Sequence, residues 1–186
     1  MELHLAHPPN SKGLLGKLVA SSAVVIAVAS LAITLYEARA TREHDRMSVW
    51  PRLAQETSDS GGRYDRAITN VGLGPAIIRS FELRLDDTVQ HSWGPVVNAL
   101  VAPASAPGYF FSAVGPGTVI LPGRTLHVLT LIAGTLSSAA AAQDHRLASR
   151  LCYCSLYDEC WVSTTARAEP APVSGCATAD TGAVLR

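Results

Sequence analysis

The side chains with the clearest chemistry are four cysteines, all within the last thirty-five residues of this 186-residue chain. Cys152 and Cys154 are two positions apart, so on a strand they point to the same face and do not easily bridge each other. A hairpin with the loop Ser155–Glu159 places Cys154 opposite Cys160 and leaves Cys176 to pair with Cys152. A shorter loop would break this pairing, so the connectivity stays open among the three possible arrangements.

We interpret these cysteines first as disulfide-bonded, because disulfides persist outside the cytoplasm. A cytoplasmic domain could use the same four thiols for zinc, but the spacing C-x-C-x5-C-x15-C lacks the paired C-x2-C of most zinc sites. A redox enzyme is not indicated either, since no C-x-x-C occurs. We therefore predict two disulfides and no metal ligand.

The remaining sequence contains no recognisable catalytic signature. Nucleophile elbow, zinc-protease, P-loop and kinase motifs are all missing. The adjacent acidic pairs Asp86-Asp87 and Asp158-Glu159 read as turns, and the six histidines are scattered. We predict no catalytic residue and no cofactor. An enzyme whose site is assembled from loop residues is kept as an alternative.

A second candidate feature is the turn formed by Asn70, Gly72, Gly74 and Pro75. The two glycines permit positive φ, Pro75 restricts the backbone, and the Asn70 amide can bond nearby backbone groups. A phosphate-binding loop is disfavoured, because a third glycine is missing at the required spacing and a strand pattern follows instead of a helix. The motif predicts a turn.

Two motifs together carry a family resemblance. The segment Asn70–Ala76 has the pattern N-x-G-x-G-P-A, and Tyr153–Trp161 has the pattern Y-C-S-x-Y-x-x-C-W. With Trp50-Pro51 upstream, the chain resembles a group of uncharacterised bacterial single-pass membrane proteins over most of residues 15–165. The resemblance implies a shared anchor and a shared fold. It implies no activity.

The segment 14–36 has the length and hydropathy of a transmembrane helix. Its one charged residue, Lys17, lies near the end, where it can reach the headgroups, and Tyr36 lies at the other end. The rival interpretation is a signal peptide cleaved at Ala38-Arg39-Ala40. We favour an uncleaved anchor, because the apolar run exceeds the usual 7–15 residues and the would-be cleavage region is charged.

Orientation is predicted from the size of the two flanks and from the cysteines. The Lys and Arg count alone does not favour a cytoplasmic N-terminus, because two lysines precede the helix core and three arginines follow it. The short segment 1–13 is predicted to be a cytoplasmic tail, and the large cysteine-containing part to be periplasmic or extracellular. The protein is thus expected in the bacterial inner membrane, with the lipid bilayer as its first partner.

One face of this helix carries only small residues, at the alternating spacing of four and three that is typical of a left-handed helix pair. Such residues let two helices approach closely, so the face is a candidate for self-association. Its members are Gly16, Ala20, Ala23, Ala27, Ser30 and Thr34.

The rest of the chain predicts a helical linker over 37–49, a mainly β domain over 50–165 and an irregular tail over 166–186. About seven short strands with turn signals predict an antiparallel β-sandwich, of which the immunoglobulin-like sandwich is one form. In the strand Ala76–Leu85, the buried face is predicted to consist of Ile77, Phe81, Leu83 and Leu85.

Composition bounds the function. The formal net charge is zero, so a nucleic-acid partner attracted by bulk charge is not expected. The first interpretation is a membrane-anchored extracytoplasmic module that binds or scaffolds an envelope protein. The second is an accessory subunit of a membrane complex that contacts its partners through the helix.

Overall fold

The protein is described by a computed structural model, which covers residues 11–101, 108–132 and 134–176. In chain order the elements are α1 (Ser11–Ser48), β1 (Leu53–Ser60), β2 (Arg63–Asn70), β3 (Ala76–Leu85), β4 (Thr88–Gln90), α2 (Trp93–Val101), β5 (Gly108–Phe111), β6 (Val119–Ile120), β7 (Thr125–Ile132), α3 (Thr135–Ala142), a 3-10 turn (Asp144–Arg146), β8 (Leu147–Cys154), β9 (Cys160–Thr164) and β10 (Ala171–Val173).

The chain divides into two units, Met1–Asp45 and Arg46–Arg186. The helix α1 is continuous to Ser48, so the predicted helical linker continues the predicted membrane segment as one helix. It begins at Ser11, three residues before the predicted start of the membrane segment. The predicted tail 1–13 otherwise lies outside the described residues. Residues Val19–Ser48 include a stretch long and apolar enough to cross a membrane, and that stretch is not buried in the structure.

The second unit is mainly β, as predicted, and its strands pair antiparallel in two sheets. The four-stranded sheet has the order β1-β2-β7-β5. The other sheet has the order β10-β9-β8-β3-β4, with β6 also paired to β3. Side chains from both sheets and from α2 form one buried hydrophobic cluster; its members include Leu53, Tyr64, Ile68, Leu129, Leu131, Ile78, Phe81, Leu83, Leu151, Tyr153 and Trp93.

The predicted alternation of β3 holds only in part. Phe81 and Leu83 are buried as predicted, but Ile77 is half-buried, and its neighbour Ile78 is fully buried. The cause is a register shift against β8 between Ile78 and Ser80. An extra residue in one strand reverses the face of every side chain on one side of it.

One other expectation is corrected by the topology. The tail predicted to be irregular contributes β10, which pairs with β9. Pro172 made this segment look irregular, but a proline is tolerated in a strand at the edge of a sheet, where β10 lies.

Candidate functional site

The predicted turn motif holds the chain segment that follows the long helix. Residues Val49–Arg52 run alongside the turn, and three backbone hydrogen bonds join the two. Val71 N donates to Arg52 O at 2.8 Å, Leu73 N to Trp50 O at 2.9 Å, and Gly74 N to Trp50 O at 3.2 Å. We call this arrangement of Val49–Arg52 with Asn70–Gly74 the entry clasp.

The Asn70 side chain is the centre of the entry clasp, and it is fully buried. Its Oδ1 accepts hydrogen bonds from Gly72 N at 3.0 Å and from Arg52 N at 3.3 Å. Its Nδ2 donates to Gly74 O and to Ile120 O, each at 2.8 Å. A carboxamide can donate two and accept two hydrogen bonds. All four are made here, so one side chain links three separate chain segments.

The reason for the two glycines differs from the predicted one. Neither Gly72 nor Gly74 has a positive φ. A Cβ at Gly72 would lie 2.3 Å from Arg52 N, and one at Gly74 would lie 1.8 Å from Val49 O. These positions require glycine because the backbone of the entering segment passes too close for any side chain.

Two tryptophans extend the entry clasp toward the cysteine hairpin. The ring of Trp50 makes an edge contact with Trp161 at 6.3 Å between centroids, and Trp161 stacks on Tyr153 at 5.9 Å. Arg46 forms an ion pair with Glu159 of the same hairpin, Nη1 to Oε1 at 3.5 Å. Residues Arg46–Arg52 are therefore attached both to the turn and to the hairpin.

The cysteines have the positions that were predicted from a hairpin with the five-residue loop Ser155–Glu159. Cys154 and Cys160 are register partners in β8 and β9, and their Sγ atoms are bonded. Cys152 is bonded to Cys176, so the chain after β10 returns to the same face of β8. Among the described residues no cysteine is free. Cys152 and Cys154 share one face of the strand, as their spacing predicts.

The hairpin disulfide is expected to stabilise the domain. Replacing both Cys154 and Cys160 by alanine should lower the free energy of unfolding by about 2 kcal/mol, because loop-closure entropy returns to the unfolded chain. Denaturant unfolding in detergent measures this loss. The matched control is the wild type after full reduction, which should lose more, since the longer loop closed by Cys152–Cys176 also opens. Equal stability of wild type and double variant would contradict the expectation.

A buried carboxylate that sequence reasoning missed lies on the four-stranded sheet. Asp65 is 8% exposed. Its carboxylate contacts Thr130 Oγ1 at 2.5 Å, His127 Nδ1 at 2.6 Å and Arg63 Nη2 at 3.3 Å. Burial raises the pKa of Asp65, but the hydrogen bonds from these three side chains outweigh it and hold the pKa below its ordinary value.

This pKa shift gives a pH-dependent prediction. At neutral pH, Asp65→Asn should lower the free energy of unfolding by about 2 kcal/mol, because the charge-assisted hydrogen bonds are lost. A lowered pKa stabilises the folded state above the unfolded value near 3.9, and the benefit disappears as the pH falls through the folded pKa. Urea unfolding at several pH values should show the two proteins converging below about pH 4. A gap that stays constant would contradict this assignment.

A second buried polar group joins β2 to the 3-10 turn. Arg66 Nη1 and Tyr64 Oη each donate to Asp144 Oδ1 at 2.5 Å. The Arg66 side chain is 8% exposed and the Asp144 side chain 30%, so the arginine is buried while the carboxylate stays in partial contact with water. Burial raises the pKa of Tyr64, which stays a neutral donor. These contacts support the fold and need no ligand to explain them.

The small-residue face of α1 is exposed along its described length. The Thr34 hydroxyl donates to Ser30 O at 2.9 Å, so this polar group is satisfied within the helix. An internally bonded hydroxyl is compatible with a helix in lipid. The structure holds a single copy of the chain, so self-association through Gly16, Ala20, Ala23, Ala27, Ser30 and Thr34 stays a prediction.

Helix pairing is testable with matched substitutions. Ala23→Ile with Ala27→Ile should weaken self-association severalfold in a membrane two-hybrid assay, because the added side chains keep the helices apart. Ala29→Ile with Ala32→Ile adds the same bulk away from the small-residue face and should leave the signal unchanged. The same loss from both pairs would mean that the face has no special role.

No protein-family model and no curated protein matches this chain.

Proposed function

We propose that this protein is a single-pass membrane protein that presents an extracytoplasmic β-sandwich to a partner in the bacterial envelope. The observation that carries the proposal is the combination of one apolar helix of membrane-spanning length with a domain whose described cysteines are all in disulfides. Disulfides are typical of proteins outside the cytoplasm. Uncharacterised single-pass proteins with the same two motifs are the proposed relatives.

The sandwich itself is part of the proposal. Two antiparallel sheets contribute inward side chains to one core, which is how sandwiches bury their faces. The Leu53 amide of one sheet donates to the Tyr153 hydroxyl of the other at 3.2 Å. An immunoglobulin-like strand arrangement is one form that the proposal allows.

The entry clasp supports the presenting role. A module that only needs tethering can end its helix in a flexible linker. Here two of the four residues after Ser48, Trp50 and Arg52, are hydrogen-bonded to the turn motif. We infer that the clasp fixes the segment Val49–Arg52 to the domain.

Exposed apolar side chains on the turn motif are the first candidate contacts for a partner. Leu73 is 71% exposed, Val71 54% and Leu121 57%. The turn that follows Leu121 is bonded to the motif through Gly123 N to Asn70 O at 2.8 Å, which brings the two loops together. Adjacent exposed apolar side chains are typical of interaction sites.

Two experiments test the proposal. A periplasm-dependent reporter fused after Arg186 should be active, and activity confined to a cytoplasm-dependent reporter would overturn the extracytoplasmic location. The full chain purified in mild detergent should retain its partner when segment 14–36 is replaced by an unrelated membrane helix. Loss of the partner on this exchange would favour the alternative of an accessory subunit that binds through its helix.

Leu73→Ser provides the matched test of the surface. It should reduce partner recovery severalfold with unchanged thermal stability, because the side chain is exposed. Leu156→Ser, at a similarly exposed leucine of the cysteine hairpin, is the control. Equal recovery from both variants would remove the turn motif from the proposed contact surface.

A further inference from the structure

The two disulfides of this domain lie in direct contact with each other. Cys154 Sγ is bonded to Cys160 and lies 3.7 Å from Cys176 Sγ, which is bonded to Cys152. The Sγ atoms of Cys154, Cys160 and Cys176 all lie within 4.8 Å of one another. Two sulfurs at van der Waals distance need little movement for a thiolate of one to attack the disulfide of the other.

The sulfurs differ in their access to solvent. Cys152, Cys154 and Cys160 are buried, at 1%, 2% and 8% exposure, whereas Cys176 is partly exposed. An incoming thiolate therefore meets Cys176 first. The tail cysteine is both the accessible sulfur and the one in contact with the second disulfide.

We propose that the four cysteines form a thiol–disulfide exchange site that accepts a dithiol reductant and moves the bond of Cys176 from Cys152 to Cys154. This goes beyond the proposed presenting role and does not depend on it. The substrate class is a dithiol, either a small molecule or another protein. The electrons that it loses are accepted by the two disulfides of this domain.

The reaction begins at the exposed sulfur. One thiolate of the dithiol attacks Cys176 Sγ, the Cys152–Cys176 bond breaks, and Cys152 leaves as a thiolate and takes up a proton. The second thiolate of the dithiol then attacks the first dithiol sulfur, which is bonded to Cys176 Sγ in the mixed disulfide. The dithiol leaves as a cyclic disulfide, and Cys176 is released as a thiolate.

The exchange itself is the next step. The Cys176 thiolate attacks Cys154 Sγ, the Cys154–Cys160 bond breaks, and Cys160 leaves as a thiolate and takes up a proton. The dithiol has lost two electrons and two protons, and the protein holds one disulfide, Cys154–Cys176, with thiols at Cys152 and Cys160. Asp158 O lies 3.4 Å from Cys160 Sγ, so the new thiol has a hydrogen-bond acceptor in place.

The product of the exchange differs from the starting state in which loops are covalently closed. The chain after β10 is still tied to β8, now through Cys154, while the loop Ser155–Glu159 loses its covalent closure. One dithiol equivalent thus opens the hairpin, which also carries Glu159, the ion-pair partner of Arg46, without releasing the tail. Direct reduction of Cys154–Cys160 would leave the bond from Cys176 to Cys152 unchanged.

The full-length Cys152→Ser variant tests the exchange, because it leaves Cys176 as a thiol beside an intact hairpin disulfide. After alkylation, non-reducing peptide mapping should find Cys154 linked to Cys176 and Cys160 alkylated in more than about one tenth of the molecules, since neighbouring disulfides of similar kind exchange toward comparable populations. Cys176→Ser is the control, and its Cys154–Cys160 bond should stay intact. Alkylation of Cys176 alone in the Cys152→Ser variant would overturn the proposal.

The wild type gives an independent measurement if the variant folds poorly. Brief exposure to dithiothreitol followed by acid quenching and alkylation should reveal the Cys154–Cys176 peptide before full reduction. The proposal is overturned if every partly reduced molecule retains one of the two original disulfides.

Discussion

Gly74→Ala should lower the free energy of unfolding of the domain by at least about 3 kcal/mol, which is the high end for forcing an extra carbon into a packed site. The added Cβ would lie 1.8 Å from Val49 O, 2.2 Å from Val49 C and 2.6 Å from Val49 Cα. All three are backbone atoms of the entering segment, so no side-chain rotation relieves the overlap. Thermal unfolding in detergent, followed by near-ultraviolet circular dichroism, measures the loss.

Gly175→Ala is the control for this prediction. Among the described residues other than its chain neighbours, no atom lies within 4 Å of a Cβ at Gly175, and its φ is not positive. It should change the free energy of unfolding by no more than about 0.5 kcal/mol, as surface substitutions usually do. A similar loss from both variants would show that the entry clasp is not a tightly packed site.

The second large effect is expected at Tyr153, a fully buried side chain between the two sheets. Tyr153→Ala should cost about 3–5 kcal/mol, as for a buried aromatic residue replaced by alanine. Tyr153→Phe keeps the packing and removes only the acceptor of the Leu53 amide, at a cost of about 1 kcal/mol. Urea unfolding at neutral pH separates the two contributions.

Trp161→Ala provides a comparison for the stability cost of Tyr153→Ala. Trp161 is only half-buried, although it follows Cys160 directly and its side chain packs against the core. Its loss should therefore cost less than that of Tyr153. A larger cost for Trp161→Ala would mean that the tryptophan, rather than the tyrosine, is the main aromatic contact of this region.

Local patterns were sufficient for much of the fold. The strand Ala76–Leu85 and the hairpin with the loop Ser155–Glu159 are visible in hydrophobic patterning and turn residues, and the structure confirms them. The turn at Asp86-Asp87 is confirmed as well, and both residues have positive φ. Such signals extend over only a few neighbouring positions.

The predictions of local structure were wrong where distant segments of the chain determine that structure. Ile78 replaces Ile77 in the core because β3 slips against β8, a strand some seventy residues away. The segment around Pro172 becomes a strand because β9 offers it an edge. Neither partner is visible from the residues themselves.

In the candidate sites, too, some contacts follow from neighbouring residues and others depend on distant segments. The pairing of Cys154 with Cys160 follows from strand register across a short loop. The Asn70 amide, by contrast, bonds Ile120 O, fifty residues further along the chain. The contact of Asp65 with His127 spans sixty-two residues. The glycine spacing did mark a turn, but the close passage of Val49 became visible only in three dimensions.

The intact mass of the full chain, isolated from the membrane fraction with free thiols blocked at lysis, tests the central claim most directly. We predict a species that still contains the residues upstream of Ala40, carries no alkyl group, and has four hydrogens fewer than the fully reduced chain because both disulfides are present. A species cleaved after Ala40, or a chain alkylated at all four cysteines, would contradict the account of an uncleaved anchor with an oxidised extracytoplasmic domain.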